Sequence, residues 1–94
     1  MSYKLKFIPT ALREWKKIDN TIKKQFKKKL SERLKRPHIP LSQLSGFENH
    51  YKTKLRASRY RLIYEVLDEE IVVMAIAVDK RDKGFVYKKA HRRK

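Results

Sequence analysis

The stretch YKTKLRASRYRLIYEV, residues 51–66, alternates basic and hydrophobic residues with the period of a β-strand. That period sends Lys52, Lys54 and Arg56 to one face of a strand and Tyr51, Thr53 and Leu55 to the other. On the next strand Arg61 can share the basic face, opposite Tyr60, Leu62 and Tyr64, and Arg81 at the exit of a later strand can complete the cluster. Cations gathered in this way repel one another, and a bound phosphate offsets that repulsion. Lysine and arginine neutralise a phosphodiester in its ground state. They stabilise it more as negative charge accumulates on the pentavalent transition state of phosphoryl transfer. Arginine's planar fork adds bidentate geometry to the phosphate oxygens.

An RNA substrate carries its own nucleophile in the 2′-hydroxyl, so a protein need supply only orientation, charge stabilisation and proton transfer, without a metal or other cofactor. Tyr87 is one proton-transfer candidate, because nearby cations favour its phenolate. Lys52 or Lys54 competes for the role, since neighbouring like charges depress a lysine's pKa. Tyr87 also reads as a packed aromatic, and the basic run KKQFKKKLSERLKR as a solvated face. His38, His50 and His91 are scattered and form no ligand pair at helical spacing, which argues against a metal centre. Asp68, Glu69 and Glu70 sit together in what reads as a solvated turn, whereas two-metal chemistry wants acids facing the cationic groove. Gly46 and Gly84 do not make a phosphate-cradling loop.

Composition agrees with a polyanionic partner. The 94 residues carry 26 Lys and Arg against 10 Asp and Glu, a formal net charge of +16. Such self-repulsion weakens a compact state, so an acidic protein covering the basic surface would also bind and stabilise it. A chain this short buries only about 60 to 65% of its unfolded surface. Even so, 40% hydrophobic residues, among them Trp15, four Phe and five Tyr, supply a core. There is no cysteine, hence no disulfide framework or thiolate, and the chain fits a cytoplasmic setting. No stretch approaches the roughly 20 apolar residues that span a bilayer.

The elements that must position the cations read as one domain over residues 1–94. YKLKF alternates as a first strand. Pro9 and Thr10 open a short helix with Ala11, Leu12, Trp15 and Ile18 at helical spacing, and Asn20 is placed to cap the next. That second helix carries Ile22, Phe26, Leu30 and Leu34 and stops at Pro37. After a loop, PHIPLSQLSGFENH, come strands over 51–56, 60–66 and 71–78, with turns that fit antiparallel pairing. The last of them, IVVMAIAV, is apolar enough to be central. The expected class is therefore α/β in the α+β sense: an antiparallel sheet of about four strands covered on one face by a helical hairpin. A short basic helix or tail ends the chain.

Four blocks carry a resemblance: ALREWKKI in the first helix, KKKL in the second, YKTKLRASRYRLIYEV across the hairpin and AVDKRDKGFVYKKA near the end. In their order and spacing the chain resembles the RelE family of bacterial type II toxins, within the RelE/ParE superfamily. The resemblance implies a RelE-like fold and an endoribonuclease that enters the ribosomal A site and cuts messenger RNA by 2′-hydroxyl attack, leaving a 2′,3′-cyclic phosphate. By position it implies that Lys52 and Lys54 orient and polarise the phosphate, that Arg61 and Arg81 stabilise transition-state charge, and that Tyr87 stacks on the messenger and aids proton transfer. Lys27, Lys28, Lys29, Arg56, Arg59, Lys80 and Lys88 are the accompanying candidates for contact with the messenger and with 16S rRNA. The resemblance also implies a cognate RelB-like antitoxin that wraps the toxin and displaces its C-terminal helix, and operator DNA bound indirectly through that antitoxin. No membrane partner is implied.

Two positions depart from the family pattern. Ser45 stands in QLSGF where similar toxins have a basic residue before the glycine, and Arg59 adds a cation within ASRYR where a small residue is usual. Some related toxins place a histidine near the C-terminus; His91 is nearby, but the matching position here holds Tyr87. Two other functions share these features: inhibition of DNA gyrase, as in the ParE branch, and nucleic-acid binding without catalysis.

Overall fold

The computed structural model describes residues 2–55 and 59–80, the last of these by its backbone. Alternation in KLKF makes β1 (Lys4–Phe7), with Leu5 and Phe7 turned towards the core and Lys4 and Lys6 exposed. Pro9, its φ already helical, starts α1 (Pro9–Lys17), and Lys16 and Lys17 complement the negative end of the helix dipole. Ala11 is fully buried, whereas Leu12 stays 37% exposed at the edge of the apolar stripe. The second helix, α2 (Asn20–Lys35), has Asp19 rather than Asn20 in the capping position. Asp19 already holds the extended backbone of a cap (φ −62°, ψ 151°) and makes no side-chain capping bond, so Asn20 is drawn into the first turn. Phe26 and Leu30 are buried one turn apart, and Pro37 follows the last turn.

Beyond a single 3-10 turn (Pro40–Ser42) lie β2 (His50–Leu55), β3 (Tyr60–Leu67) and β4 (Val72–Lys80). The strand order is β1-β4-β3-β2. The pairs β2–β3 and β3–β4 are antiparallel, as expected, and β4 is interior. The sheet is mixed rather than wholly antiparallel, because β1 runs parallel to β4, from Lys4 opposite Val72 to Phe7 opposite Ala75. Parallel neighbours need a long crossover, and the connection from β1 to β4 contains both helices and two strands. Where β1 ends, the outer N–H of Val78 donates instead to Glu14 Oε1 of α1 (3.1 Å).

The apolar run of β4 contains a one-residue bulge. Ile63 lies opposite Ala77 and Tyr64 opposite Ala75, leaving Ile76 as the extra residue. Period two would otherwise carry Val73, Ala75, Ala77 and Asp79 to one face, placing a carboxylate beneath the helices. The bulge exchanges the faces, so Val78 joins the helix-side core and Asp79 leaves on the open side. Helix-side packing runs through Phe7, Trp15, Phe26 and Tyr60, with successive ring centroids 5.3, 6.0 and 6.4 Å apart.

The other face is not a bare platform. Leu44, with Phe47 beside it, covers Ile63, Ile76 and Ala77 in a second, smaller core. The turn that brings them there passes through Gly46 at φ +81°, a conformation that excludes most side chains.

Thr53 Oγ1 is buried without a hydrogen-bond partner, alone in this among the described residues. Replacing it by the isosteric Thr53→Val removes a desolvation penalty of roughly 1 kcal/mol or more. The expected outcome is a higher urea midpoint with unchanged m-value. A lower midpoint would mean that the hydroxyl is satisfied in solution.

Candidate phosphate-binding face

Pleating of β2 and β3 brings together three of the five proposed catalytic residues. Lys54 lies directly opposite Arg61, and Lys52 opposite Ile63, on the face away from the helices. Cross-strand neighbours have Cβ atoms about 5 Å apart, a spacing at which like charges destabilise a sheet. On its other side Arg61 lies opposite Asp79, so a row Lys54–Arg61–Asp79 crosses three strands. The acid at the end of that row reduces the local excess of charge and gives Arg61 a carboxylate neighbour along which to align. Sequence reasoning passed over Asp79 because nothing in IVVMAIAV indicates where the phase changes.

Lys54 is exposed and Lys52 and Arg61 are half-buried, so all three retain access to solvent. Arg59, exposed in the turn before β3, adopts φ +62°, the left-handed region that non-glycine residues rarely occupy. Lys80 ends β4 opposite Tyr60, one position beyond the charged row. Arg56, Arg81, Tyr87 and Lys88, and the expected C-terminal helix, lie outside the described residues. Lys27 and Lys28 are exposed on α2. Lys29 is engaged: its Nζ donates to the Lys54 carbonyl at 2.6 Å. Arg33, which the sequence did not single out from its basic neighbours, donates to the Lys52 carbonyl (3.2 Å), the Tyr64 hydroxyl (3.1 Å) and Ser42 Oγ (3.2 Å).

Charge changes sign along β3, with Arg59 and Arg61 at its start and Glu65, Asp68, Glu69 and Glu70 around its end. Ser45, the departure from the family pattern, is exposed beside Gly46. Among the described residues no three His, Asp or Glu side chains converge as metal ligands. Lys52, Lys54 and Arg61 thus place positive charge and N–H donors on one solvent-accessible face.

With this geometry in hand, the comparisons with known proteins are specific. Residues 5–85 match the ParE toxin of the parDE type II toxin-antitoxin system, and the mRNA interferase toxin RelE of Escherichia coli (strain K12) is 47% identical over 93 residues, covering 99% of this chain and 98% of its own. This chain belongs to the RelE/ParE toxin family. Within it, the full-length similarity is to RelE. A doubly substituted E. coli RelE in the free state superposes with a TM-score of 0.91 at 46% identity, covering 99% of this chain and 98% of that one. A chain of the intact E. coli RelBE toxin-antitoxin complex gives 0.83 at 46% identity, over 87% of this chain and 100% of its own. The two helices and the mixed four-stranded sheet are thus the RelE architecture.

Among the described residues of this RelE-family chain, Tyr3, Tyr51, Tyr64 and Asp68 have displaced pKa values. Asp68 is not merely solvated. Its Oδ1 accepts from the Tyr3 hydroxyl at 2.8 Å, and His38 Nε2 lies 3.0 Å from the same oxygen. The Tyr3 hydrogen bond, assisted by His38, holds the Asp68 carboxyl below its ordinary range despite some opposing desolvation. The same bond leads in raising the Tyr3 phenol above its ordinary value of 10.0. Burial raises Tyr64 although Arg33 opposes it, which keeps that hydroxyl protonated and able to donate to the Pro37 carbonyl (2.8 Å).

These shifts fix two pH windows. A carboxyl depressed in the native state contributes stability above its unfolded pKa and loses it as pH falls through the native value. A phenol raised in the native state contributes below its unfolded pKa and loses it as pH rises through the native value. Asp68→Asn is therefore expected to lower the urea midpoint near neutrality and to converge with wild type in acid. Tyr3→Phe is expected to converge with wild type in alkali, where the phenol ionises, and to narrow its gap in acid as well, where Asp68 takes up a proton and the shared hydrogen bond weakens. Urea titrations across pH check both, and gaps constant with pH would exclude the linkage.

Proposed function

We propose that this chain is the toxin of a type II toxin-antitoxin system, a metal-independent endoribonuclease that cuts messenger RNA in the ribosomal A site and so halts translation. The reading is carried by the convergence of Lys52, Lys54 and Arg61 on one open face, next to the strand end from which the chain continues into Arg81. It is supported by similarity over 99% of the chain to a protein named mRNA interferase toxin RelE.

The chemistry follows from what such a face can do. Lys52 and Lys54 hold the scissile phosphate. The RNA's 2′-hydroxyl, held in line, attacks phosphorus and gives up its proton. The P–O5′ bond breaks, a 2′,3′-cyclic phosphate remains upstream, and the leaving 5′-oxygen takes up a proton. Arg61 and Arg81 bind the equatorial oxygens most strongly when their charge is greatest, which lowers the barrier rather than merely binding substrate. Tyr87 stacks on a messenger base and takes part in proton transfer, with Lys52 or Lys54 as the alternative proton acceptor. Lys27, Lys28, Arg56, Arg59, Lys80 and Lys88 contact messenger and 16S rRNA, chiefly through phosphates. Residues 1–94 act as one domain in the cytoplasm. A RelB-like antitoxin covers the basic surface, and together the pair binds operator DNA through the antitoxin and represses its own operon.

A second reading, gyrase inhibition, has one observation in its favour: the matched family is described by its ParE member. A reconstituted translation reaction with a defined messenger separates the two. Wild type should cut with codon phasing only when the ribosome is present and leave a cyclic phosphate at the upstream end. Arg81→Ala should lower the single-turnover rate by about 100-fold or more, the usual effect of removing one donor to a developing oxyanion. An uncut messenger with folded, ribosome-bound protein would overturn the nuclease reading, and loss of gyrase supercoiling under the same conditions would establish the second.

A further inference from the structure

β2 is an edge strand, and its register divides its residues into two sets. The Asn49 carbonyl accepts from Val66 N–H at 2.8 Å, so residues 49, 51, 53 and 55 direct their backbone groups to β3, whereas His50, Lys52 and Lys54 direct theirs outwards. Each outward carbonyl meets a donor. Leu44 N–H reaches that of His50 (2.9 Å), Arg33 Nη1 that of Lys52 (3.2 Å) and Lys29 Nζ that of Lys54 (2.6 Å).

Two of these donors are side chains of α2, and their spacing matches the strand. Lys29 and Arg33 are four residues apart, a rise of about 6 Å along a helix, while Lys52 and Lys54 are two apart, about 6.6 Å along a strand. Helix and strand are thus in step, running in opposite directions, with one cationic side chain for each lysine carbonyl. Arg33 is itself held by the Tyr64 hydroxyl and Ser42 Oγ, and Tyr64 in turn donates to the Pro37 carbonyl and stacks on Tyr51 at 5.6 Å. A donor so fixed anchors the Lys52 backbone to the core rather than to a mobile side chain.

We infer that Lys29 and Arg33 are positioning residues for the phosphate-binding face: they pin the backbone of the edge strand from which Lys52 and Lys54 extend, and so set where those ammonium groups meet the phosphate. The inference rests on the proposed nuclease reading. It moves Lys29 from the ribosome-contacting set to the set that supports the chemistry. An unpinned edge strand twists and frays, and small displacements of two charged groups fall on the rate of the reaction more than on the affinity of a long polyanion.

Lys29→Met tests this with little risk to folding, since the side chain is exposed and methionine keeps most of its apolar stem. The expected result is a fall of roughly 5- to 10-fold in the single-turnover cleavage rate on programmed ribosomes, the scale of disturbing rather than removing a catalytic group. Ribosome affinity and its salt dependence should be unchanged, with recovery in Lys29→Arg. Lys28→Met, removing a phosphate contact, should instead lower the slope of log affinity against log salt by about 0.7 to 0.9. In a Lys54→Ala background Lys29→Met should add little, because the side chain it positions is gone. Arg33→Met should follow the same pattern if it folds, with Arg33→Lys partly active.

A Lys29→Met rate equal to wild type would overturn the inference. So would a loss of salt slope like that of Lys28→Met, or an undiminished effect in the Lys54→Ala background. If Lys54→Ala and Lys52→Ala both cut at the wild-type rate, the nuclease reading of those lysines falls and this inference with it; if they cut slowly while Lys29→Met is normal, the inference alone falls.

Discussion

A β-sheet fixes the distance between neighbouring side chains, and here it fixes Lys54 beside Arg61. Their Cβ atoms are held about 5 Å apart by the pairing, so the two cationic side chains share one patch of the sheet and can separate only by splaying their stems. Everything around them meets that constraint. Hydrophobic packing of α1 and α2 beneath the sheet supplies the cohesion that the charged row opposes, the Ile76 bulge turns Asp79 out to end the row, and Leu44 and Phe47 seal the apolar part of the same face.

The helical hairpin consequently has two roles. Its apolar stripe, centred on Phe26 and Leu30, fills the core. Its flank, through Lys29 and Arg33, satisfies carbonyls that an edge strand would otherwise present to solvent or to another chain. Tyr64 connects these roles, being a core aromatic whose hydroxyl accepts from Arg33 and donates to Pro37.

Much of this was legible in the residues, for a physical reason. Alternation in YKTKLRASRYRLIYEV and four-residue spacing in Ile22, Phe26 and Leu30 are local signals, because each reports which side of its own element faces the core. They sufficed for both helices, for the three later strands and for the meeting of Lys52, Lys54 and Arg61. What stayed hidden depends on partners far along the chain. The parallel pairing of β1 with β4 leaves no trace in KLKF, and an unbroken apolar run such as VVMAIAV shows no phase, so the bulge that redirects Asp79 could not be read. Arg33 and Lys29 look like the other cations of α2, since only the register between helix and strand sets them apart. Asp68 looked like one acid of a solvated turn until Tyr3 and His38 came to it from distant segments.

The parallel pairing of the first strand with the last has a consequence for biosynthesis. β1 emerges from the ribosome before anything it can pair with, and its neighbour β4 is the last strand of the described fold to be made. Closing so long a loop is slow compared with forming the helical hairpin, and the sheet cannot assemble in order of synthesis. A chain interrupted before β4 lacks the strand that joins both halves of the sheet, so an abandoned translation product carries the lysines of β2 without the scaffold that positions them.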